Sequence, residues 1–512
     1  MNAYQYFRRG FASGLERTVL EWDGGRGFTC AGLERETARI ASLLTGLGLA
    51  PGDRVAAQVD KSPEGLFLYL GCLRAGLAFL PLNTAYQRDE LEYFLRDAEP
   101  RAVVCRPAMR ETFAELAAKG DGGAEHLFTL DEDGAGSLAD AAAGAADRFA
   151  DAPVGDDDLA VVVYTSGTTG RSKGAMVTHG NLTSNATALA EAWRIGPGDV
   201  LLHALPIFHV HGLFVGIHPL LLAGARILFQ RRFEPAAVLA ALPRATVLMG
   251  VPTFYTRLLA EPGLTAESAR SVRLFVSGSA PLRPDTFAAW QARTGAAILE
   301  RYGMSEAGMI ASNPCEGERR AGTVGFPLPG VEVRVVDSAG RVLGAGVPGG
   351  IEVRGPNVFA GYWRRPERTA EDFTPDGWFR TGDLGQWSGD GYLSIVGRAK
   401  ELVITGGYNV YPKEVELAID AVPGISESAV FGIPDPDFGE AVAAAVVRQP
   451  GATIDELAVI AALRSRIAHF KVPRRVVFVD ELPRNAMGKV QKTGLQARLA
   501  HLGQNTPQEE DR

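Results

Sequence analysis

The sequence predicts an α/β protein with a large N-terminal domain and a small, mobile α+β domain at its C-terminus. Between about residues 52 and 300, short β-branched runs alternate with longer amphipathic stretches, which is typical of parallel-rich sheets covered by helices. After residue 320 the apolar runs are broken by Gly, Pro and Asp, which indicates a β-rich subdomain. Beyond residue 398 a compact mixture of strands and helices follows.

The first region contains short apolar runs of the kind found in strands that are buried on both faces. These predicted strands are Arg54–Val59, Ala102–Cys105, Leu159–Tyr164, Ala225–Phe229, Thr246–Met249 and Arg273–Ser277. The amphipathic stretches Pro235–Leu242 and Pro284–Arg293 are predicted helices, and Pro284 suits a first helical turn.

The second half of the chain is predicted to hold shorter elements. The β-rich subdomain comprises the strands Val331–Asp337, Gly350–Gly355 and Tyr392–Val396. The C-terminal unit reads as the strand Glu401–Thr405, the helix Pro412–Ala421, the strands Glu427–Phe431 and Ala441–Val447, the helix Ile454–His469 and the strand Arg475–Val479. We therefore expect two domains, residues 1–398 and 399–512, with a hinge near Lys400.

Composition excludes several classes of protein. The chain has 512 residues, 46% of them hydrophobic and 22% charged, which is ample for a large buried core. No run of about 18 apolar residues occurs, so no membrane partner is expected. The 52 Lys and Arg residues form no basic block against 60 Asp and Glu, so no nucleic-acid partner is expected either.

The cysteines and the N-terminus indicate a cytoplasmic protein. The four cysteines are far apart in sequence and form no CxxC pair, which argues against disulfides and a zinc site. The alternative is a transit peptide, to which Arg8, Arg9 and Arg17 could belong. Acidic residues follow them at Glu21 and Asp23, and no apolar core of secretory type appears.

The strongest local motif is YTSGTTGRSKG at residues 164–174, directly after a predicted strand. Its glycines let the backbone approach a ligand, and its hydroxyls and Lys173 are donors suited to phosphate oxygens. The Walker pattern does not fit, because Gly174 follows the lysine. A flexible polar turn is the alternative interpretation.

This motif resembles the phosphate loop of the adenylate-forming superfamily, which includes acyl-CoA synthetases, luciferases and peptide-synthetase adenylation domains. Other motifs of that superfamily follow in its order. They are ERYGMSE at 300–306, YLSIVGR at 392–398, GGYN at 406–409 and PRNAMGK at 483–489, with RAG at 74–76 and LPLN at 80–83 upstream. The segments PIFHVHGLF, GVPTFYTR and SGSAPL are similar to those of malonyl-CoA synthetases. The resemblance implies that a carboxylate attacks ATP to form an acyl-adenylate and pyrophosphate, and that coenzyme A then takes the acyl group and releases AMP.

The resemblance also implies which residues bind ATP and magnesium. The implied ATP-binding residues are Thr165, Ser166, Gly167, Thr168, Thr169, Gly170, Lys173, Ser279, Ala280, Pro281, Glu300, Tyr302, Gly303, Met304, Ser305, Asp383, Arg398 and Lys489. Tyr302 is expected against the adenine, and Asp383 at the ribose hydroxyls with Arg398 assisting. Thr168 and Glu306 are the implied Mg²⁺ ligands. A structural cap in a turn is the alternative for Asp383.

Two further residues are implied to be catalytic. Lys489 resembles the superfamily's late lysine, which bridges the carboxylate and the α-phosphate, and His209 resembles the histidine at the floor of the acyl pocket. A surface lysine and a core histidine are the alternatives. Gly406 and Gly407 are implied in coenzyme A binding. Because relatives are silenced by acylation, a lysine acyltransferase and a deacylase acting on Lys489 are expected partners.

Arg257 and Arg301 predict the substrate. Most relatives accept aliphatic or aromatic acids and have a small or uncharged residue where this chain has Arg301. A buried arginine without an anionic partner carries a desolvation cost, which a second carboxylate on the substrate relieves. We therefore expect malonate or methylmalonate, held by Arg257, Arg301 and His209. The alternatives are a CoA ligase for another short or aromatic acid, a carrier-loading adenylation enzyme, or arginines that point outward into salt bridges.

Overall fold

Sheets with mainly parallel strands, covered by helices, form most of the N-terminal half of the chain, as the alternating pattern predicts. The computed structural model describes the chain except residues 24, 119–123, 166–171, 406–407, 436–437, 465, 486–487 and 500–512. The chain divides into two compact units. The first consists of Met1–Val333 and Val353–Phe379, and the second of Arg334–Glu352 and Arg380–Arg512.

The helices of the described chain are α1 (Ala3–Phe7), α2 (Cys30–Gly46), α3 (Pro63–Arg74), α4 (Arg88–Ala98), α5 (Arg110–Ala118), α6 (Ser137–Ala143), α7 (His179–Ala192), α8 (His218–Ala223), α9 (Pro235–Ala241), α10 (Pro252–Leu259), α11 (Ala266–Ala269), α12 (Pro284–Thr294), α13 (Pro366–Asp372), α14 (Pro412–Asp420), α15 (Glu456–Arg464) and α16 (Lys492–Leu499). None of them is both long and apolar enough to cross a membrane.

The strands are β1 (Thr18–Trp22), β2 (Arg26–Thr29), β3 (Arg54–Gln58), β4 (Ala78–Pro81), β5 (Ala102–Cys105), β6 (His126–Thr129), β7 (Leu159–Thr165), β8 (Lys173–Thr178), β9 (Val200–His203), β10 (Arg226–Phe229), β11 (Val247–Gly250), β12 (Leu274–Ser277), β13 (Leu299–Met304), β14 (Gly308–Ser312), β15 (Phe326–Pro327), β16 (Glu332–Val336), β17 (Gly349–Arg354), β18 (Phe379–Trp387), β19 (Leu393–Arg398), β20 (Val403–Thr405), β21 (Tyr408–Val410), β22 (Ile425–Asp435), β23 (Gly439–Arg448) and β24 (Arg475–Phe478).

Two sheets build the first unit. One has the order β6-β5-β3-β4-β7-β8 and is parallel except for β8, which pairs antiparallel with β7. The other has the order β15-β14-β13-β12-β11-β9-β10-β1-β2, with parallel strands from β13 to β1. Because β11, β12 and β13 run parallel, their carboxyl ends meet at one edge of the sheet. That edge carries the segments that follow Gly250 and Ser277 and the end of β13.

The second unit contains two smaller sheets. Their orders are β16-β17-β18-β19 and β21-β20-β23-β22, and β24 pairs with β23 in the second sheet. Helix α14 packs on the second sheet with an apolar face that includes Val415 and Ile419, both fully buried beside Val430. The segment Ala399–Glu401 between the two sheets is a 3-10 helix in which Lys400 is exposed. The expected domains 1–398 and 399–512 and the hinge near Lys400 remain a prediction.

The predicted α/β class is confirmed, and all six predicted strands of the first region form within two residues of their expected ends. Three elements of the C-terminal part differ, one of which is β22, longer at both ends than the predicted strand Glu427–Phe431. The predicted helix Ile454–His469 is α15, which begins only after Asp455 because that carboxylate accepts a hydrogen bond from the Ala458 amide at 2.9 Å. The predicted strand Glu401–Thr405 is shortened to β20, because the 3-10 helix includes Glu401.

Candidate active site

The predicted phosphate loop connects two paired strands. β7 ends at Thr165 and β8 begins at Lys173, and these two residues face each other across the antiparallel pair. They therefore fix both ends of the loop between them. The expected ATP-binding residues Ser166, Gly167, Thr168, Thr169 and Gly170 lie outside the described residues.

Glu306 lies at the base of this loop. Its side chain is buried, and its Oε1 accepts hydrogen bonds from the Thr165 hydroxyl at 3.2 Å and from the Tyr362 hydroxyl at 3.4 Å. Its backbone oxygen accepts a bond from the Phe359 amide at 2.8 Å. The carboxylate is thus held beside Thr165, where the predicted phosphate loop begins.

This carboxylate fits a magnesium ion. Mg²⁺ prefers oxygen ligands and is commonly bound by one or two carboxylates together with phosphate and water. Among the described residues no group of three or more His, Cys, Asp or Glu side chains could hold a metal. The expected second ligand, Thr168, lies outside the described residues.

Tyr362 is a residue of this site that sequence analysis missed. It is 5% exposed, and its ring centroid lies 4.6 Å from the ammonium of Lys173, a cation–π distance. Burial raises the pKa of its hydroxyl, and the negative charges of Glu306 and Asp372 together with a hydrogen bond to Asp372 raise it further, so the hydroxyl stays protonated. Tyr362 therefore contacts both the proposed metal ligand and the lysine at the loop's end. No local pattern around residue 362 indicates this role.

The segment after β12 has a strained backbone. Ser279 has a φ of 71°, in the left-handed region that side chains other than glycine rarely adopt. A hydrogen bond of 3.1 Å joins its Oγ to Nδ1 of His211. Such strain persists where surrounding contacts fix it, and it is common at ligand sites. Ala280 and Pro281, expected along the nucleoside, follow at once in the chain.

Strand β13 carries most of the ERYGMSE motif to the same sheet edge. Ser277 of β12 pairs in parallel with Glu300 of β13. Glu300 is buried, and its Oε1 accepts a hydrogen bond from the Gly322 amide at 2.8 Å. The other motif residues expected at ATP, which are Tyr302, Gly303, Met304 and Ser305, are all partly exposed. This exposure leaves them accessible to a nucleotide.

Arg301 is a buried cation to which the described part of the chain supplies no counter-ion. Its side chain is 5% exposed, and its Nε and Nη2 atoms have no hydrogen-bond partner among the described residues. Burial lowers its pKa to about 9, so it is still protonated at neutral pH. The guanidinium lies against the backbone of Gly278, where an added Cβ would stand 2.3 Å from its Cζ. An unpaired buried charge of this kind is costly unless a ligand supplies the partner.

Two neutral histidines lie within the electrostatic reach of Arg301. Burial lowers the pKa of His209 to about 4, and the positive charge of Arg301 contributes. The same two causes lower the pKa of His211 well below its usual value. His209 Nδ1 accepts a hydrogen bond from the His211 amide at 3.2 Å. Both rings are therefore uncharged at neutral pH, and the positive charge of this group is that of Arg301.

Arg257 lies on the exposed side of α10, whose buried side carries Phe254, Tyr255 and Leu258. The charge of Arg301 acts on Tyr255 of this helix, since it opposes the rise in the pKa of that hydroxyl that burial causes. No contact among the described residues joins Arg257 to Arg301. The structure thus buries Arg301 and leaves Arg257 on the exposed surface of α10.

A buried lysine–histidine pair supports the two site histidines, and sequence analysis missed it. Nζ of Lys61 lies 2.7 Å from Nδ1 of His203 and donates to the His203 carbonyl at 2.8 Å. His203 Nε2 donates to the Gly212 carbonyl at 2.7 Å, in the π-helix His211–Val215. Since Nε2 carries the proton, Nδ1 is the acceptor for Lys61. The pair fixes the position of the segment that follows His209.

The second unit brings together three expected site residues. Nε of Arg398 is paired with Oδ1 of Asp383 at 2.9 Å. Lys489, which is partly buried, has a pKa below its usual value because of desolvation and because Arg398 repels its charge, while Glu401 and Asp383 partly compensate. Asp383, Arg398 and Lys489 therefore interact within one unit.

Two hydrogen bonds connect Lys489 to Asn485. The Asn485 amide donates to the Lys489 carbonyl at 2.9 Å, and the Lys489 amide donates to Oδ1 of Asn485 at 3.0 Å. Lys492, at the start of α16, pairs with Glu416 at 2.5 Å and with Glu401 at 3.3 Å. Gly406 and Gly407, expected to bind coenzyme A, lie outside the described residues.

Comparison with known proteins identifies two regions of the chain. Residues 7–363 match the family of AMP-binding enzymes, and residues 414–489 match the AMP-binding enzyme C-terminal domain. The feruloyl-CoA synthase of an Amycolatopsis species is 39% identical over 93% of this chain and 95% of its own length. The malonate–CoA ligase of Arabidopsis thaliana is 35% identical over 89% of this chain and 79% of its own length.

A solved structure is similar over nearly the whole chain. The crystal structure of ATP-bound MatB from Rhodopseudomonas palustris has a TM-score of 0.95 and 54% sequence identity. The match covers 98% of this chain and 100% of that one. The similarity therefore includes both of the regions that the family comparison identifies.

Proposed function

Because the chain belongs to the family of AMP-binding enzymes and is an AMP-forming acid–CoA ligase, we propose that its acid is malonate, with methylmalonate as a second substrate. AMP-binding CoA ligases use ATP, coenzyme A and Mg²⁺. The relatives act on acids of different kinds, including ferulate and malonate by their names, so relatedness alone does not select one. The residues of the acyl pocket favour a short dicarboxylate.

The observation that carries this proposal is the buried guanidinium of Arg301, whose Nε and Nη2 atoms have no hydrogen-bond partner in the described parts of the chain. A neutral acyl chain would leave this buried cation without a partner, which disfavours such a substrate. The distal carboxylate of malonate supplies the missing acceptor, and charge-assisted hydrogen bonds of this kind contribute roughly 1.5–3 kcal/mol each. Because His209 and His211 are neutral, the positive charge that pairs with this carboxylate is that of Arg301. The unpaired cation disfavours a monocarboxylate, and the charge-assisted bonds favour malonate.

In the first half-reaction the reacting carboxylate of malonate attacks the α-phosphate, and pyrophosphate leaves. We propose that Lys489 neutralises charge that develops at the attacking carboxylate and the α-phosphate. Asp383 accepts hydrogen bonds from the ribose hydroxyls, with Arg398 orienting its carboxylate at 2.9 Å. Glu306, together with Thr168, would hold Mg²⁺, which neutralises phosphate charge when bound.

In the second half-reaction the thiolate of coenzyme A attacks the acyl carbonyl, the thioester forms and AMP leaves. Lys489 is not needed for this step, and we propose that rotation about Lys400 removes it and admits coenzyme A along Gly406 and Gly407. Acylation of Lys489 by a lysine acyltransferase, reversed by a deacylase, would remove the charge used in the first step.

Two alternatives remain distinguishable from this proposal. A CoA ligase for a medium-chain or aromatic acid would show malonate activity below that of the neutral acid. A carrier-loading adenylation enzyme would release pyrophosphate with its acid but would not turn over with free coenzyme A. Neither alternative gives the buried charge of Arg301 a role.

The test is pyrophosphate release across a panel of mono- and dicarboxylates, with Arg301→Met and Arg257→Met beside the wild type. Loss of the Arg301 contact should lower kcat/KM for malonate by about tenfold to several hundredfold and raise it for butyrate. Arg257→Met should act in the same direction but less strongly, because the exposed charge is screened by solvent. If both arginines bind one carboxylate, the double variant should lose less than the sum of the two.

A wild-type preference for butyrate over malonate would contradict the proposal, as would a malonate-to-butyrate ratio that Arg301→Met leaves unchanged. The KM for ATP is the control for the nucleotide site, because Arg301 adjoins Tyr302 in β13. A rise in that KM with an unchanged acid preference would also contradict it.

A further inference from the structure

We propose that Gly278 determines acid specificity by leaving room for the guanidinium of Arg301 at the carboxyl end of β12. The inference rests on the proposed function, since it concerns how Arg301 is placed toward the acid. It assigns a role in substrate selection to a residue that has no side chain of its own.

The space in question is the position that a Cβ atom would take. A Cβ added at Gly278 would lie 2.3 Å from Cζ, 2.4 Å from Nε and 2.7 Å from Nη1 of Arg301. All three distances are well below any van der Waals contact, so the guanidinium and a side chain at residue 278 exclude each other. The guanidinium of Arg301 can therefore occupy its observed position only if residue 278 is glycine.

The backbone does not need this glycine. Gly278 is not among the glycines with a positive φ, so an L-residue is compatible with its conformation. Its amide donates to the Gly250 carbonyl at 3.3 Å, a bond that alanine would keep. The three nearest atoms to the added Cβ all belong to the outer end of the long Arg301 side chain. Alanine at residue 278 should therefore move the guanidinium and leave the fold in place.

Displacement of the guanidinium changes two contributions to specificity. Malonate loses charge-assisted bonds whose geometry depends on the planar guanidinium. A neutral acid gains, because a desolvated cation no longer faces its methyl end. The malonate-to-butyrate ratio of kcat/KM is the quantity that reports both changes together.

The experiment measures this ratio, from pyrophosphate release, for the wild type, Gly278→Ala, Arg301→Met and the double variant. Gly278→Ala should lower the ratio by about tenfold or more, and in the Arg301→Met background the same change should alter it by less than about twofold. Gly250→Ala is the matched control at the neighbouring strand end. Its added Cβ would meet Phe254 at 2.9 Å instead of Arg301, so any loss should affect both acids alike.

The outcomes separate this inference from the proposed function. If the wild type prefers malonate and Arg301→Met lowers the ratio while Gly278→Ala does not, the role of Gly278 is refuted and the substrate assignment stands. If the wild type shows no preference for malonate, the substrate assignment itself fails. If Gly278→Ala and the double variant both fail to fold, the backbone needs the glycine and the inference is overturned. If the double variant folds and Gly278→Ala does not, a side chain at residue 278 is incompatible with Arg301, which supports the inference.

Discussion

Asp383 of β18 and Arg398 of β19 face each other in register, and an ion pair of 2.9 Å joins their side chains. The same guanidinium repels the ammonium of Lys489 and contributes to its lowered pKa. Arg398 therefore links the residue expected at the ribose to the residue expected at the α-phosphate. Two predictions concern this group.

The first prediction is that Lys489→Ala prevents malonyl-adenylate formation but preserves thioester formation from supplied adenylate. Removal of one preorganised charge from a closed site costs about 3 kcal/mol or more, which is about a hundredfold or more in rate. Single-turnover measurements of each half-reaction check this. Overall turnover within about threefold of the wild type would show that Lys489 has another role.

The second prediction concerns pH. Lys489 must be protonated to neutralise charge, so adenylate formation should be lost as pH rises through its lowered pKa. Arg398→Gln removes a positive charge that disfavours the protonated form, so the alkaline limb of the pH profile should move to higher pH. Arg398→Lys keeps the charge and is the matched control. An alkaline limb that stays in place in Arg398→Gln would contradict the coupling.

The third prediction is that Tyr362→Phe weakens the dependence of nucleotide binding on magnesium. The hydroxyl of Tyr362 donates to Glu306 at 3.4 Å, and its removal takes away one of the hydrogen bonds that orient this carboxylate, beside the one from Thr165. The Mg²⁺ concentration for half-maximal activity should rise by about two- to tenfold, the equivalent of one hydrogen bond. Calorimetric titration of a non-hydrolysable ATP analogue with and without Mg²⁺ measures the effect independently of turnover.

Tyr362→Leu is the comparison that separates the hydroxyl from the ring. Phenylalanine keeps the aromatic face 4.6 Å from Lys173, whereas leucine removes it. We expect the leucine variant alone to weaken ATP binding in the absence of Mg²⁺. If Tyr362→Phe binds the analogue with unchanged Mg²⁺ dependence, the hydroxyl has no part in placing Glu306.

The fourth prediction is that Lys400→Pro impairs thioester formation more than adenylate formation. Lys400 is exposed in a 3-10 helix, so its side chain has no packing role, and proline acts through its fixed φ. A rotation between half-reactions needs freedom at this residue, whereas adenylate formation does not. Lys400→Ala is the control. Equal losses in both half-reactions would argue against a hinge.

The sequence was sufficient for most of the fold because strands such as β5 and β12 are short apolar runs with clear ends. It was also sufficient to locate Thr165, Lys173, Glu306 and Arg301, because motifs bring them to known ends of strands. Asp383, Arg398 and Lys489 form one interacting group although they lie far apart in sequence, and their expected roles at ATP stay predictions.

Contacts over long sequence distances were not predictable. Tyr362 and Glu306 are 56 residues apart, and Lys61 and His203 are 142 apart, so no local pattern pairs them. The bond between His211 and Ser279 spans 68 residues and accompanies a backbone angle that sequence does not specify. The side of α10 on which Arg257 lies was also unknown until Phe254, Tyr255 and Leu258 were seen to face the core.

The solitary charge of Arg301 has a consequence for the thermal stability of the resting enzyme. A buried cation to which no described residue supplies a counter-ion lowers the free energy of unfolding of the empty protein, whereas an apolar side chain of similar size would not. Selection for heat resistance in the absence of the acid should therefore favour the loss of this arginine. Under the proposed function, that loss would also remove the preference for a dicarboxylate, and binding of the acid would restore the stability that the empty site lacks.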